Sequence, residues 1–375
     1  MTETTIKQKT WCEEDLHHHY ELFEDFNEWL ESEEGAAIRE QNGIDTLTQP
    51  SKAFFAGDKS LYDQAFAEYR QQRINEVLNK DYLTERFGDT HWFERNLSRF
   101  EQLVTASAAG DVVPFVGAGL SVGAGFPSWR DHLRQQGKTA GLNQQEVELA
   151  LVNGQFEDII AQIEAVRGRN VFVKEIQDVF SKTGVMTSAT LLITELFSNT
   201  LITTNYDRLL EDALDTGGGR KVEVINGLEP LTDLDGTKIT VIKLHGDVLN
   251  PKLCMLSKQQ YDAAYGSPAL DLNLPIPSRL EYHYKNSSLL FLGCSLSNDR
   301  TMQVFKAVQE QSGDTLIPNH FCFEQTPETE QELQDRNAFL VNHGITPIWF
   351  ERGNYSNVEE LLRLLRNELR YKKAI

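Results

Sequence analysis

The sequence predicts an α/β domain on a doubly wound, mostly parallel sheet, preceded by helices and interrupted by more of them. Three observations carry this prediction. From about residue 111, short apolar runs alternate with amphipathic stretches, the pattern of successive βαβ units. Several of these runs are apolar on both alternations, as strands covered by helices on each face must be. The first, Val112-Val113-Pro114-Phe115-Val116, runs straight into Gly117-Ala118-Gly119, a strand entering a tight turn.

Residues 1–105 have a different texture. EEDLHHHYELFEDFNEWLES and LYDQAFAEYRQQRINEVLNKDYLTERF repeat apolar residues at three-to-four spacing among acids, which predicts amphipathic helices. The first 100 residues hold 21 Asp and Glu against 11 Lys and Arg, so this acidic helical region carries much of the charge. His17-His18-His19 invites a metal site. Adjacent helical residues point about 100° apart, however, so three neighbouring imidazoles do not converge on one ion.

The domain proper is expected over 106–355, with strands at 112–117, 201–205, 221–226, 238–246, 289–294, 319–324 and 344–350. About eighty residues separate the first two strands. They read as several helices, a subdomain inserted at about 130–198 and too long for one crossover. The chain closes with a helix over 356–375, whose basic last turn suits the helix dipole.

Composition narrows the function. With 40% hydrophobic and 25% charged residues among 375, the balance is that of an ordinary globular protein. No apolar run reaches the ~18 residues of a membrane span, and the polar, acidic start is not the pattern of a secretory signal. A cytoplasmic protein without membrane contact is expected. The net charge of -20 opposes phosphate backbones, so no direct nucleic-acid binding is expected. Cys12, Cys254, Cys294 and Cys322 are far apart and form no Cys-x-x-Cys pair, which argues against disulfides and zinc.

Polar motifs gather where the predicted strands end. In open α/β sheets ligands bind outside those carboxyl ends. Gly117-Ala118-Gly119, with Ser121 beyond, would let amides and a hydroxyl approach a pyrophosphate. Gly125-Phe126-Pro127-Ser128-Trp129-Arg130 follows. Thr203-Thr204-Asn205-Tyr206-Asp207, Leu244-His245-Gly246-Asp247 and Gly293-Cys294-Ser295-Leu296 each close another apolar run.

In this order the motifs resemble those of the Sir2 (sirtuin) superfamily of NAD-using proteins, whose fold is Rossmann-like. They are similar to its GAG-x-S turn, its G-x-P-x-[FW]-R loop, its T-x-N-x-D strand end, its L-H-G segment and its G-x-S nucleotide loop. The resemblance covers about residues 111–350. It implies NAD+ as substrate, with Asn205, His245 and Asp207 catalytic. Asn205 would hold a water or the ribose hydroxyls, His245 would act as general base, and Asp207 would anchor the carboxamide or brace Asn205. It also implies that Gly117, Ala118, Gly119 and Ser121 cradle phosphates. Pro127, Trp129 and Arg130 would close over the ribose–nicotinamide half, with Thr204 and Tyr206 beside them. Gly293, Ser295 and Leu296 would hold adenosine, and Glu324 its ribose.

Two departures qualify the resemblance. The two Cys-x-x-Cys pairs of sirtuin deacylases are missing after the L-H-G segment, and Thr204 stands where a Gln is usual. The chain is thus more similar to zinc-less Sir2-like proteins of bacterial anti-phage defence. That branch implies an NAD+ glycohydrolase with no metal, silent until triggered. It further implies a homo-oligomer and a partner such as a HerA-type ATPase or a short Argonaute. A zinc-less NAD-dependent protein deacylase and a non-catalytic NAD or ADP-ribose-binding scaffold are the alternatives.

Overall fold

All seven predicted strands form in the computed structural model, which describes residues 14–88, 90–197, 199–216, 220–232, 234–297, 299–313 and 316–374. They are β1 (Val112–Val116), β2 (Thr200–Thr203), β3 (Val222–Asn226), β4 (Ile239–Lys243), β5 (Ser288–Leu292), β6 (His320–Gln325) and β7 (Ile345–Phe350). They make one sheet in the order β3-β4-β2-β1-β5-β6-β7, with every pairing parallel. Strands β4 and β5 are buried along their whole length. That is why their sequences are apolar on both faces. The edge strand β3 is half open and accordingly carries Glu223.

Between β1 and β2 run five helices of nine to twelve residues, Trp129–Thr139, Gln144–Val152, Phe156–Arg167, Arg169–Phe180 and Ser188–Leu196. Three of them start on side-chain caps, from Ser128, Asn143 and Thr187, which satisfy otherwise orphaned amides. Their apolar faces close a core of Leu133, Leu151, Ile160, Ile163, Phe172 and Ile176, and Tyr206 and Leu209 from the segment after β2 join it. The insert is therefore packed onto the chain that follows β2.

Residues 109–353 form one compact unit, and the residues before and after them form a second. In the second unit Phe23, Phe26, Phe54, Tyr62, Phe66 and Tyr371 share an apolar cluster. The C-terminal helix Ser356–Ala374 is tied in by Arg70, which meets Glu368 through both carboxylate oxygens. The acidic region and the last helix thus fold together, which their separation in sequence conceals. His17 and His18 both approach Glu21, at 3.3 and 3.7 Å, while the His19 ring lies 5.7 Å from that of Phe23. Cys12 lies outside the described residues.

Candidate active site

The sheet reverses its winding at β1 and β5. From β1 the chain moves through β2, β3 and β4 on one side, then returns to β5 and moves outward through β6 and β7. Crevices in open α/β sheets form at this switch point, and Gly117 and Gly293 are the residues that follow the two strands. The amide of Gly117 donates to Leu292 O at 2.9 Å and that of Gly119 to Gly293 O at 2.9 Å. A Cβ on Gly117 would lie 2.6 Å from Gly293 O, and one on Gly293 (φ +66°) would lie 2.3 Å from Leu120 N. The glycines let two loops cross backbone to backbone. Two amides expected to cradle phosphate are engaged by β5, which leaves the amide of Ala118, at the first position of the short helix Ala118–Ser121, without an intrahelical partner.

Asn205 is anchored to this crossing. Its Nδ2 donates to Gly117 O at 3.2 Å and to Ser121 Oγ at 3.0 Å. A carbonyl accepts only, so Gly117 O fixes which end of the amide faces β1. The other end, Oδ1, is buried and has no partner. Its backbone amide donates to Thr203 Oγ1, whose hydroxyl donates to Val116 O. Four hydrogen bonds therefore aim one free acceptor. Asn205 also lines a small, partly enclosed recess of about 10 Å³ with Ser121, Thr203, Asp207 and Glu211 among others, room for about one water.

Asp207 continues this network below the site. Burial raises its carboxyl above the usual range, while the Leu209 amide, the Ser121 hydroxyl and nearby Lys243 pull it back. Lys243, the last residue of β4, is fully buried. Its ammonium donates to the main-chain carbonyls of Tyr206, at 3.2 Å, and Asp207, and to Glu211 Oε1 at 3.0 Å. It also pairs with Asp247 Oδ2 at 3.3 Å. Sequence reasoning passed over Lys243, although a lone Lys closing the apolar run Ile239–Lys243 was a visible signal.

His245 stands opposite Asn205 in register. Thr203 pairs with Lys243, so Asn205 and His245 each lie two residues past that pairing, beyond the ends of the adjacent strands β2 and β4. Nε2 of His245 is 3.0 Å from the Tyr265 hydroxyl and Nδ1 is 3.4 Å from that of Tyr261. Both tyrosines come from the helix Lys258–Tyr265, one turn apart. Burial holds the imidazole down to about 4, so it is neutral at pH 7 and one ring nitrogen keeps a lone pair. The segment that would carry a zinc module in a deacylase instead supplies this helix.

The remaining candidates surround these. Ser128 caps the helix Trp129–Thr139, and Arg130 is exposed. The Trp129 ring packs 5.5 Å from Tyr206 and 6.3 Å from Phe180, and Pro127 is half-buried. Tyr206 donates to Met255 O at 2.7 Å, so its hydroxyl serves packing, and the Thr204 amide donates to Val116 O at 3.3 Å. After β5, Leu296 takes φ +43°, a left-handed conformation costly for a non-glycine residue. Arg336 holds it there, donating to Leu296 O and Ser295 O at 3.0 Å each and pairing with Glu324 at 3.1 Å. Burial raises the Glu324 carboxyl and Arg336 opposes this. Burial likewise pushes the Cys254 thiol up to about 12 and raises that of Cys294, so neither is a ready nucleophile. Among the described residues no three His, Cys, Asp or Glu side chains are grouped to hold a metal. None of the described helices is long and apolar enough to cross a membrane.

Residues 199–348, which include the switch-point loops after β2, β4 and β5, match the family model of the SIR2-like domain. The chain is similar to NAD(+) hydrolase ThsA of Bacillus cereus (strain MSX-D12), 25% identical over 272 residues that cover 69% of this chain and 54% of that protein. The NAD(+) hydrolase ThsA of Acinetobacter baumannii (strain 532279) is 27% identical over 188 residues, 49% of this chain and 36% of the relative. That of Cytobacillus dafuensis is 26% identical over 215 residues, 56% of this chain and 40% of the relative. The aligned stretches span about a third to a half of these relatives' length.

Proposed function

We propose that the chain is an NAD+ glycohydrolase that releases nicotinamide and leaves ADP-ribose. In this reading it is an anti-phage defence effector, depleting NAD+ when assembly or a partner protein activates it. The observation that supports it most is the buried, unpartnered Oδ1 of Asn205, aimed by four hydrogen bonds beside the switch point. A buried acceptor left open costs about 1–3 kcal/mol, so the fold maintains it for something that donates.

The chemistry follows from that acceptor and from His245. The bond from the ribose anomeric carbon to the pyridinium nitrogen breaks, and its electron pair neutralises the leaving nicotinamide. Water then bonds to the oxocarbenium-like carbon. Asn205 Oδ1 accepts a hydrogen bond from that water or from a ribose hydroxyl. His245 takes the proton that the water loses. An imidazole of lowered basicity suffices, because water becomes acidic as it bonds to so electron-poor a carbon. The Ala118 amide and the loop 293–296 would meet the pyrophosphate and adenosine.

Relatives named as NAD(+) hydrolases favour hydrolysis over deacylation. A silent state, a homo-oligomer and a partner such as a HerA-type ATPase or a short Argonaute belong to the same proposal, since unchecked hydrolysis would deplete the host. The test is to incubate the full chain with NAD+, alone, with an acyl-lysine peptide and with a candidate partner. Nicotinamide and ADP-ribose released in equal amounts without peptide support the reading. Release that needs the peptide indicates a deacylase. Binding without turnover in every arm indicates a scaffold.

A further inference from the structure

We infer that Lys243 is a positioning residue for the reaction proposed above, holding the Asn205 and His245 segments to each other through one buried ammonium. Its side chain is 1% exposed. The ammonium has three hydrogens and four oxygens around it, from Tyr206 O, Asp207 O, Glu211 and Asp247. Two of these are main-chain carbonyls of the residues directly after Asn205. A third, Asp247, lies two residues past His245. The cation therefore bridges the segments that follow β2 and β4, one carrying the amide and the other the imidazole.

This arrangement is more than a buried ion pair. A salt bridge to Glu211 alone would stabilise the fold wherever it sat, and an apolar pair could replace it. Bonds to the carbonyls of 206 and 207 fix the main chain beside Asn205 instead. The free Oδ1 depends on the Asn205 side chain keeping its place against Gly117 and Ser121. The imidazole depends on the turn 243–247, where Gly246 N also donates back to Lys243 O at 3.4 Å. Small misplacements of such groups cost orders of magnitude in rate.

The inference rests on the glycohydrolase reading, so its test has an arm that does not need turnover. Full-length Lys243→Met, and Lys243→Met with Glu211→Gln, which also removes the buried Glu211 charge, are compared with wild type. Hydrogen exchange is measured over 204–211 and 244–250, with β5 and β6 as internal references. We expect exchange in both segments to quicken at least tenfold while the references hold. In the activated protein kcat should fall at least 100-fold with NAD+ affinity within threefold. Unchanged exchange in both segments, or quickening spread evenly over β5 and β6, overturns the inference whatever the activity. So does kcat within threefold of wild type in either variant. Quickened segments in a protein whose wild type never releases nicotinamide retain the bridge and refute the glycohydrolase.

Discussion

Asn205 donates its side-chain amide to the carbonyl of Gly117 at 3.2 Å, which joins the residue after β1 to the one that closes the β2 segment. Because the carbonyl can only accept, the orientation of the amide is decided by the β1 turn. Asn205→Ala removes the free acceptor and takes one hydrogen bond each from Gly117 O and Ser121 Oγ, which keep Leu120 N and Asp207 respectively. Loss of one preorganised group of this kind costs about 10²- to 10³-fold in kcat. Nicotinamide release in the activated protein should fall by that factor, with stability lowered by about 1–3 kcal/mol in denaturant titration.

The crossing of the glycine loops makes a second prediction. Gly293→Ala would place a methyl group 2.3 Å from Leu120 N at φ +66°. Both the contact and the backbone oppose it, so stability should fall by about 3 kcal/mol or more. In a thermal melt the transition should drop by roughly 6–12 °C. Gly125→Ala is the control: it shares a positive φ but meets nothing within 4 Å, and should cost about 1 kcal/mol.

The pH dependence carries the sign of His245. Its pKa is lowered to about 4 by burial, against an ordinary value near 6.5, so the neutral base persists well below neutrality. The acid limb of kcat/KM, which reports the free enzyme, should break below pH 5 and stay flat through 6.5. A break near 6.5 would show that the imidazole titrates as if in water.

Arg336 organises the loop after β5, to which the proposal assigns adenosine, without having been visible there. It reaches Ser295 O, Leu296 O and Glu324 at once, a fork that lysine cannot reproduce. Arg336→Ala should let Leu296 leave its left-handed conformation. KM for NAD+ should then rise about tenfold with kcat nearly unchanged, the mark of lost ground-state binding. Arg336→Lys should recover little of it.

What the sequence made legible follows from periodicity. The seven strands were readable because central parallel strands must be apolar on both faces, and the insert because its length exceeds any crossover. Asn205, His245 and Gly117 stood out through their places at strand ends. Lys243, Tyr261, Tyr265 and Arg336 did not, because their roles depend mainly on partners 12 to 41 positions away. A lysine ending a strand and tyrosines one helical turn apart are ordinary until the fold sets them against a carbonyl or an imidazole. The same holds for the glycine turn. Its residues announced a close backbone approach, but only the sheet order reveals that another loop makes that approach and engages two of its amides. The pairing of the last helix with the first ones likewise depended on contacts such as Arg70 with Glu368, which no local pattern encodes.

The most direct test is a crystal structure of full-length His245→Ala bound to NAD+. The account predicts the nicotinamide ribose, or a water beside its anomeric carbon, within hydrogen-bond distance of Asn205 Oδ1, and the pyrophosphate over the crossing of Ala118 and Gly293. A dinucleotide bound elsewhere, or one that leaves Asn205 Oδ1 untouched, would contradict it.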